Sequence, residues 1–177
     1  MAEALTFEKV WAMFQETREQ MKETDRKMKE TDRKIGELGN RFGELAEHLV
    51  APSITEKFNE LHFTFEQVSH DIKISDSSGK CIAEIDILLE NGDTVIAVEV
   101  KAKPLEKDVE EHVARMEILR RRADARHDTR KFQGAIAGAI MSDGVRNYAH
   151  KTGFYVIEQT GDTVEINIPQ GFKPREW

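Results

Sequence analysis

The chain is poor in residues that would staple or interrupt a fold: of 177 residues, one is cysteine and four are proline. The lone Cys81 excludes an internal disulfide; within a strand pattern it is expected as a buried residue in a reducing compartment. No apolar run approaches the roughly 20 residues that a membrane-spanning helix needs, and the Glu- and Lys-rich N-terminus has no signal-peptide core, so a cytoplasmic location is expected. The six histidines lack the spacing of a zinc site, such as two ligands in adjacent helical turns. An excess of basic charge is lacking as well, since 33 acids outnumber 26 Lys and Arg for a formal net of −7, which excludes a strongly basic nucleic-acid coat protein. The acidity is uneven, because Arg115 to Lys131 carries seven basic residues against three acids, a stretch suited to phosphate.

What is present first is periodicity. Phe7, Phe14, Met21, Met28, Ile35, Phe42 and Leu49 recur every seven residues, with Val10, Thr17, Thr24, Thr31, Leu38 and Leu45 three residues later. This is a coiled-coil seam, and MKETDRK repeats directly as Met21 to Lys27 and Met28 to Lys34, as heptad duplication would produce. A lone helix with such a seam is poorly stable, so the stripe predicts a partner, most simply a second copy of the chain. The alternative is one helix folding back on its own domain. The expected division is an oligomerisation helix over 1–40 and a globular domain over 41–177. Gly36, Gly39 and Gly43 lower helix propensity at the junction, where a hinge or a close packing contact is expected. Pro52 is expected near the helix end or at the start of a short second helix, Ser53 to Leu61, with Ser53 as N-cap.

The second part alternates strand and helix patterns. Phe63 to Ile74 is strand-like, and Asp76-Ser77-Ser78-Gly79 marks a turn. The runs Cys81 to Glu90 and Thr94 to Lys101 flank the hairpin signal Asn91-Gly92. After Pro104, Leu105, Val109, Val113, Met116 and Leu119 recur at helical spacing, as in a crossover helix closed by Arg120, Arg121 and Arg122. Phe132 to Met141 suits a strand buried on both faces. A short helix follows from Ser142-Asp143-Gly144 to Lys151, then a strand over Phe154 to Ile157 and a closing hairpin over Val164 to Ile168. These elements predict a mixed α/β sheet with helices packed on it.

The hairpin draws attention to three residues. It brings Asp86 close to Glu99, and strand alternation puts Glu99 and Lys101 on one face, with Val98 and Val100 on the other. Two carboxylates and an ammonium therefore converge. A bland account makes Asp86 and Lys101 a cross-strand ion pair and Glu99 part of an exposed alternating edge. An acid flanked by Ile85, Ile87, Leu88 and Leu89 is costly there without a function. Glu84 is either a further acid of this cluster or part of a solvated strand face.

Together, the element order and the IDILLENGDTVIAVEVK stretch resemble the PD-(D/E)xK nuclease superfamily, over about residues 36 to 157. More narrowly, the chain resembles bacterial members that join an N-terminal coiled coil to this core. The resemblance implies a restriction-endonuclease-like mixed β-sheet flanked by helices. It implies that Asp86 and Glu99 hold Mg²⁺ or Mn²⁺, with the Val100 carbonyl as a further ligand, and that Lys101 positions the attacking water and offsets phosphate charge. Ile85 stands where the name-giving motif has proline. A further acid comes from the first core helix in this superfamily; here Glu47 is the expected residue and Glu44 its competitor. The implied activity is metal-dependent hydrolysis of phosphodiester bonds, in DNA by expectation, with no residue that distinguishes DNA from RNA. Lys103, Arg120, Arg121 and Arg122 are the expected nucleic-acid contacts, although solvation and helix-end compensation account for the arginines, Arg126 included, slightly better, and Lys103 either faces phosphate or merely ends its strand. His112 is a distant candidate for reaching the site from the crossover helix. The alternative function is a nuclease-fold oligomerisation or adaptor protein that has lost turnover.

Overall fold

The computed structural model describes residues 6–161 and 163–177, and the side chains of 35–52 lie outside that description. The chain divides into two compact units, Met1–Arg41 and Phe42–Trp177. Helix α1 (Phe7–Glu60) contributes to both. In the first unit the heptad residues Phe7, Phe14, Met21 and Met28 are all more than 60% exposed. The seam threonines turn their hydroxyls inward: Thr17, Thr24 and Thr31 donate to the carbonyls of Met13, Gln20 and Lys27 at 2.8–2.9 Å, leaving no free hydroxyl hydrogen on the seam.

The second unit holds strands β1 (Gln67–Ser75), β2 (Cys81–Glu90) and β3 (Thr94–Lys101), then helix α2 (Glu106–Asp124) and β4 (Lys131–Gly138). Helix α3 (Asp143–Thr152), β5 (Tyr155–Thr160) and β6 (Thr163–Asn167) follow. The six strands form one sheet in sequence order. β1 to β3 are an antiparallel meander, β3, β4 and β5 run parallel, and β6 returns antiparallel. This is the mixed sheet with flanking helices expected above. The parallel step from β3 to β4 requires a crossover, which α2 supplies.

Turn chemistry sets the meander. Asp76 Oδ1 accepts the amides of Ser78 and Lys80 at 2.8 and 3.0 Å, and Asn91 Oδ1 accepts those of Asp93 and Thr94 at 2.9 and 2.7 Å. The Asn91 turn therefore works through its side chain. α3 is capped by Ser142 and ends at Gly153, whose φ of 92° is the left-handed value that glycine accepts without penalty.

Two expectations are corrected. No second helix begins at Ser53, because α1 continues unbroken to Glu60. Ile54 and Phe58 are fully buried, and the Phe58 ring meets Phe63, Phe65 and Tyr155 edge-on at 5.3–5.8 Å. Burying those two side chains contributes about 1.5–3 kcal/mol each, enough to offset the roughly 3 kcal/mol cost of an interior proline. Cys81 is exposed rather than buried, since it opens β2 where the register against β1 slips at Ile74/Ser75.

The core lies on both sheet faces. Val95 and Ala97 of β3 face Val109 and Met116 of α2, while Ile96, Val98 and Val100 face Ile54 and Phe58 of α1. Between β4 and α2 the fit is tight: a Cβ on Gly134 would lie 2.3 Å from the Phe154 ring. That ring stacks on Trp177 and meets His112 of α2, each at 5.0 Å. Gly134→Ala should therefore destabilise the fold by about 1–3 kcal/mol through overpacking, read as a lowered denaturation midpoint with an unchanged m-value. A neutral result would contradict this packing.

Candidate active site

β2 and β3 pair regularly from Glu90↔Val95 to Ile87↔Val98, and there the ladder stops. Beyond it the strands part, and the Asp86 side chain fills the gap: its Oδ2 accepts the Val100 amide at 2.7 Å. The backbone on β1 is irregular at the same level, since Asp71, between the paired His70 and Ile72, has a φ of 50°. Ile85 and Ile87, two residues apart, pack into opposite cores, so β2 rotates at Asp86. The second oxygen, Oδ1, accepts no hydrogen bond among the described residues.

Glu99 continues the α2-facing side of β3 and is 1% exposed. One oxygen meets Lys101 Nζ at 2.7 Å, and the other is bonded by the Arg115 guanidinium. Burial pushes the Glu99 carboxyl up, but the hydrogen bonds and charges of Lys101 and Arg115 outweigh it and hold the group below its ordinary value. Asp86 is shifted the other way: burial, then the neighbouring Glu99 charge, raise it despite the Val100 amide. Burial disfavours the Lys101 ammonium, yet Glu99 and Asp86 more than compensate, so Lys101 holds its proton more tightly than usual. Lys101 is therefore held as the ammonium.

Asp86, Glu99, Val100 and Lys101 thus stand together. Glu47 and its competitor Glu44 lie outside the described residues. Among the described residues no group of three His, Cys, Asp or Glu converges as a metal cluster, so Asp86 and Glu99 are a pair. The pair fits a hard divalent cation in kind: two carboxylates on diverging strands, one oxygen unbonded among the described residues, and mutual repulsion that a cation would relieve.

Arg115 was not singled out from the sequence, although a signal existed. It lies three residues after His112 and four before Leu119, both buried on α2, so helical spacing puts it at the rim of the sheet-facing stripe. His112 itself serves the core. It is fully buried, and burial depresses it to about 4. The Nε2 lies 3.0 Å from the Ala97 carbonyl; a carbonyl only accepts, so Nε2 carries the proton. Glu84 pairs with Lys73 at 3.5 Å on the solvated face.

The expected nucleic-acid contacts separate. Lys103 is exposed in the loop after β3. Arg120 is committed internally: it binds Asp124 at 2.7 Å, donates to the carbonyls of Asp128 and Arg130, and covers the Phe132 ring at 4.6 Å. Arg121, Arg122 and Arg126 line a cleft of about 550 Å³ against Ile74, Asp76 and Ile82. From Arg115 to Arg122 the helix advances roughly 10 Å, so this cleft lies two turns along α2 from the acid pair.

The second unit is thus a mixed α/β sheet flanked by helices, with Asp86, Glu99 and Lys101 gathered where β2 and β3 part. Residues 5–80 match a family described as "Protein of unknown function (DUF3782)"; the matched stretch ends before Asp86. A comparison with curated proteins returns no match. Among solved structures, one described as "Structure of EndoMS-dsDNA2 complex" is 14% identical with a TM-score of 0.37, over 68% of this chain and 46% of that one. Another, the small subunit (R.BspD6I2) of the heterodimeric restriction endonuclease R.BspD6I, is 18% identical with a TM-score of 0.33, over 62% of this chain and 63% of that one. The chain thus spans less than two thirds of either. It is the acid pair, and not these partial likenesses, that carries the functional reading.

The two shifts have opposite signs for stability. Folded Asp86 holds its proton more tightly than the unfolded chain, so it subtracts stability as pH rises from the ordinary carboxylate range through its raised value. Glu99, held low, contributes stability at neutral pH that is lost as pH falls through its folded value. In chelator at pH 7, Asp86→Asn should melt above the wild type, with the advantage vanishing below about pH 4. Glu99→Gln should melt lower, by about 1–3 kcal/mol. Calorimetric scans across pH check both, and an Asp86→Asn protein less stable at pH 7 contradicts the assignment.

Proposed function

We propose that the protein is a divalent-metal-dependent nuclease that hydrolyses phosphodiester bonds, with DNA as substrate and a coiled-coil-linked oligomer as the working form. One observation carries this reading: Asp86 and Glu99 converge on one sheet face beside Lys101, where β2 and β3 part. Asp86 and Glu99 would hold the ion, with the Val100 carbonyl as a further donor and Glu47 as the acid from α1. Bound there, Mg²⁺ or Mn²⁺ supplies charge stabilisation at the scissile phosphate and a more acidic water.

The chain's own groups supply the rest. The Val100 amide fixes Asp86 Oδ2, so Oδ1, which accepts no bond among the described residues, is the one presented to a ligand. Lys101 is 40% exposed while its Nζ stays on Glu99, which leaves ammonium donors for a phosphate oxygen or a water. Lys103 and the cleft arginines Arg121 and Arg122 extend positive charge along α2 for the phosphate backbone. Arg120 is occupied by Asp124 and the Phe132 ring and acts through the fold.

The first unit supports the oligomer. Four seam side chains, Phe7, Phe14, Met21 and Met28, are exposed at heptad spacing, and burying them is what a partner helix would contribute. Linked sites would let two strands be cut, or set the separation of cuts.

A second reading, an adaptor without turnover, is favoured by a different observation: both Glu99 oxygens are already taken by Lys101 and Arg115. Plasmid DNA with Mg²⁺ or Mn²⁺ separates the two. The nuclease reading expects nicking or linearisation, lowered about 10²–10³-fold in Asp86→Ala and Lys101→Ala; folded protein that leaves plasmid intact supports the adaptor. Mass in solution is expected at a multiple of 20.3 kDa, falling towards the monomer in a Phe14→Glu/Met21→Glu variant. A strict monomer at high concentration refutes the coiled-coil pairing.

A further inference from the structure

We propose that Arg115 is a built-in substitute for the divalent cation, holding one Glu99 oxygen until an ion arrives and then passing to Glu111. The inference rests on the nuclease reading above and adds a gate to its metal site.

Charge is balanced at the site: among the described residues, Asp86 and Glu99 face Lys101 and Arg115, and Glu99 has no free oxygen. An ion bridging the two acids competes with one of these cations for a Glu99 oxygen. Lys101 sits on the same strand, two residues away, and among the described residues has no second acid within ion-pair distance. Arg115 has one. Its Nη2 lies 3.8 Å from Glu111 Oε2, one helical turn back, and Glu111 is 46% exposed. The Arg115 side chain is itself 24% exposed, and its guanidinium can rotate to Glu111 without α2 moving. Two cations on one carboxylate oxygen repel, so the ion and Arg115 exclude each other at Glu99. The exchange leaves Asp86, with its unbonded Oδ1, and the freed Glu99 oxygen for the ion. The released guanidinium presents a planar fork at the rim, a geometry that suits phosphate. Affinity for the ion is therefore set by competition with a side chain of the protein itself.

The test is Mn²⁺ binding to the full chain, by calorimetry and by electron paramagnetic resonance of the free ion, with no nucleic acid present. Arg115→Gln should bind Mn²⁺ at least about tenfold tighter than wild type, a difference of about 1.4 kcal/mol. Arg115→Lys should fall between them, and Asp86→Asn should lose the site. Glu111→Gln, a solvent-exposed change, should bind severalfold more weakly because the displaced guanidinium has no acceptor. Equal affinity in wild type, Arg115→Gln and Glu111→Gln overturns the gate and leaves the nuclease reading standing. No binding in any of them overturns both. If Arg115→Gln does not fold, the Glu111→Gln arm decides, and wild-type affinity there overturns the proposal.

Discussion

The constraint on which the second unit depends is an ionised carboxylate held in a nearly dry position. Glu99 lies on the sheet face that packs against α2, and a charge buried there is tolerable only with its partners in place. Lys101 comes from the same strand, while Arg115 comes from the helix that crosses over it. That helix is in turn held by the fully buried His112, hydrogen-bonded to the Ala97 carbonyl of β3, and by the Phe154 ring seated in the space that Gly134 leaves open. Packing, register and charge therefore converge on one side chain.

Asp86 completes the site by an opposite device. Where β2 and β3 separate, a side-chain oxygen takes over the Val100 amide that a neighbouring strand would otherwise bond. The exchange leaves an amide satisfied and a carboxylate with one oxygen unbonded among the described residues, next to a second acid. Burial, then the Glu99 charge, disfavours the ionised Asp86 carboxylate where it stands, while Lys101 and Arg115 keep Glu99 ionised. A divalent cation would relieve the penalty on Asp86, which is why the arrangement is read as a site under tension rather than as an ion-pair network.

Much of this was legible in the sequence because it follows from short-range chemistry. The Asn91 turn, the Val95-Ala97-Glu99 alternation and the Ser142 and Gly153 helix boundaries are local signals, and they place Asp86, Glu99 and Lys101 on adjoining strands. What escaped depends on tertiary contacts. Arg115 reads as one basic residue among seven until α2 is laid over β3. The parting of β2 from β3 at Asp86 breaks the strand alternation, so no period reveals it. Arg120 is an exposed-looking helix-end arginine whose partners come from the loop at Asp128 and Arg130. Pro52 predicts a helix boundary, and the burial of Ile54 and Phe58 overrides it.

The central claim is that Asp86 and Glu99 form one cation site. Crystals of the full chain soaked in Mn²⁺, with anomalous diffraction recorded at the manganese edge, test it most directly. The account predicts an anomalous peak bonded to Asp86 Oδ1 and a Glu99 oxygen, with the Val100 carbonyl adjacent. Strong manganese peaks elsewhere, with Glu99 still closed between Lys101 and Arg115, would contradict it.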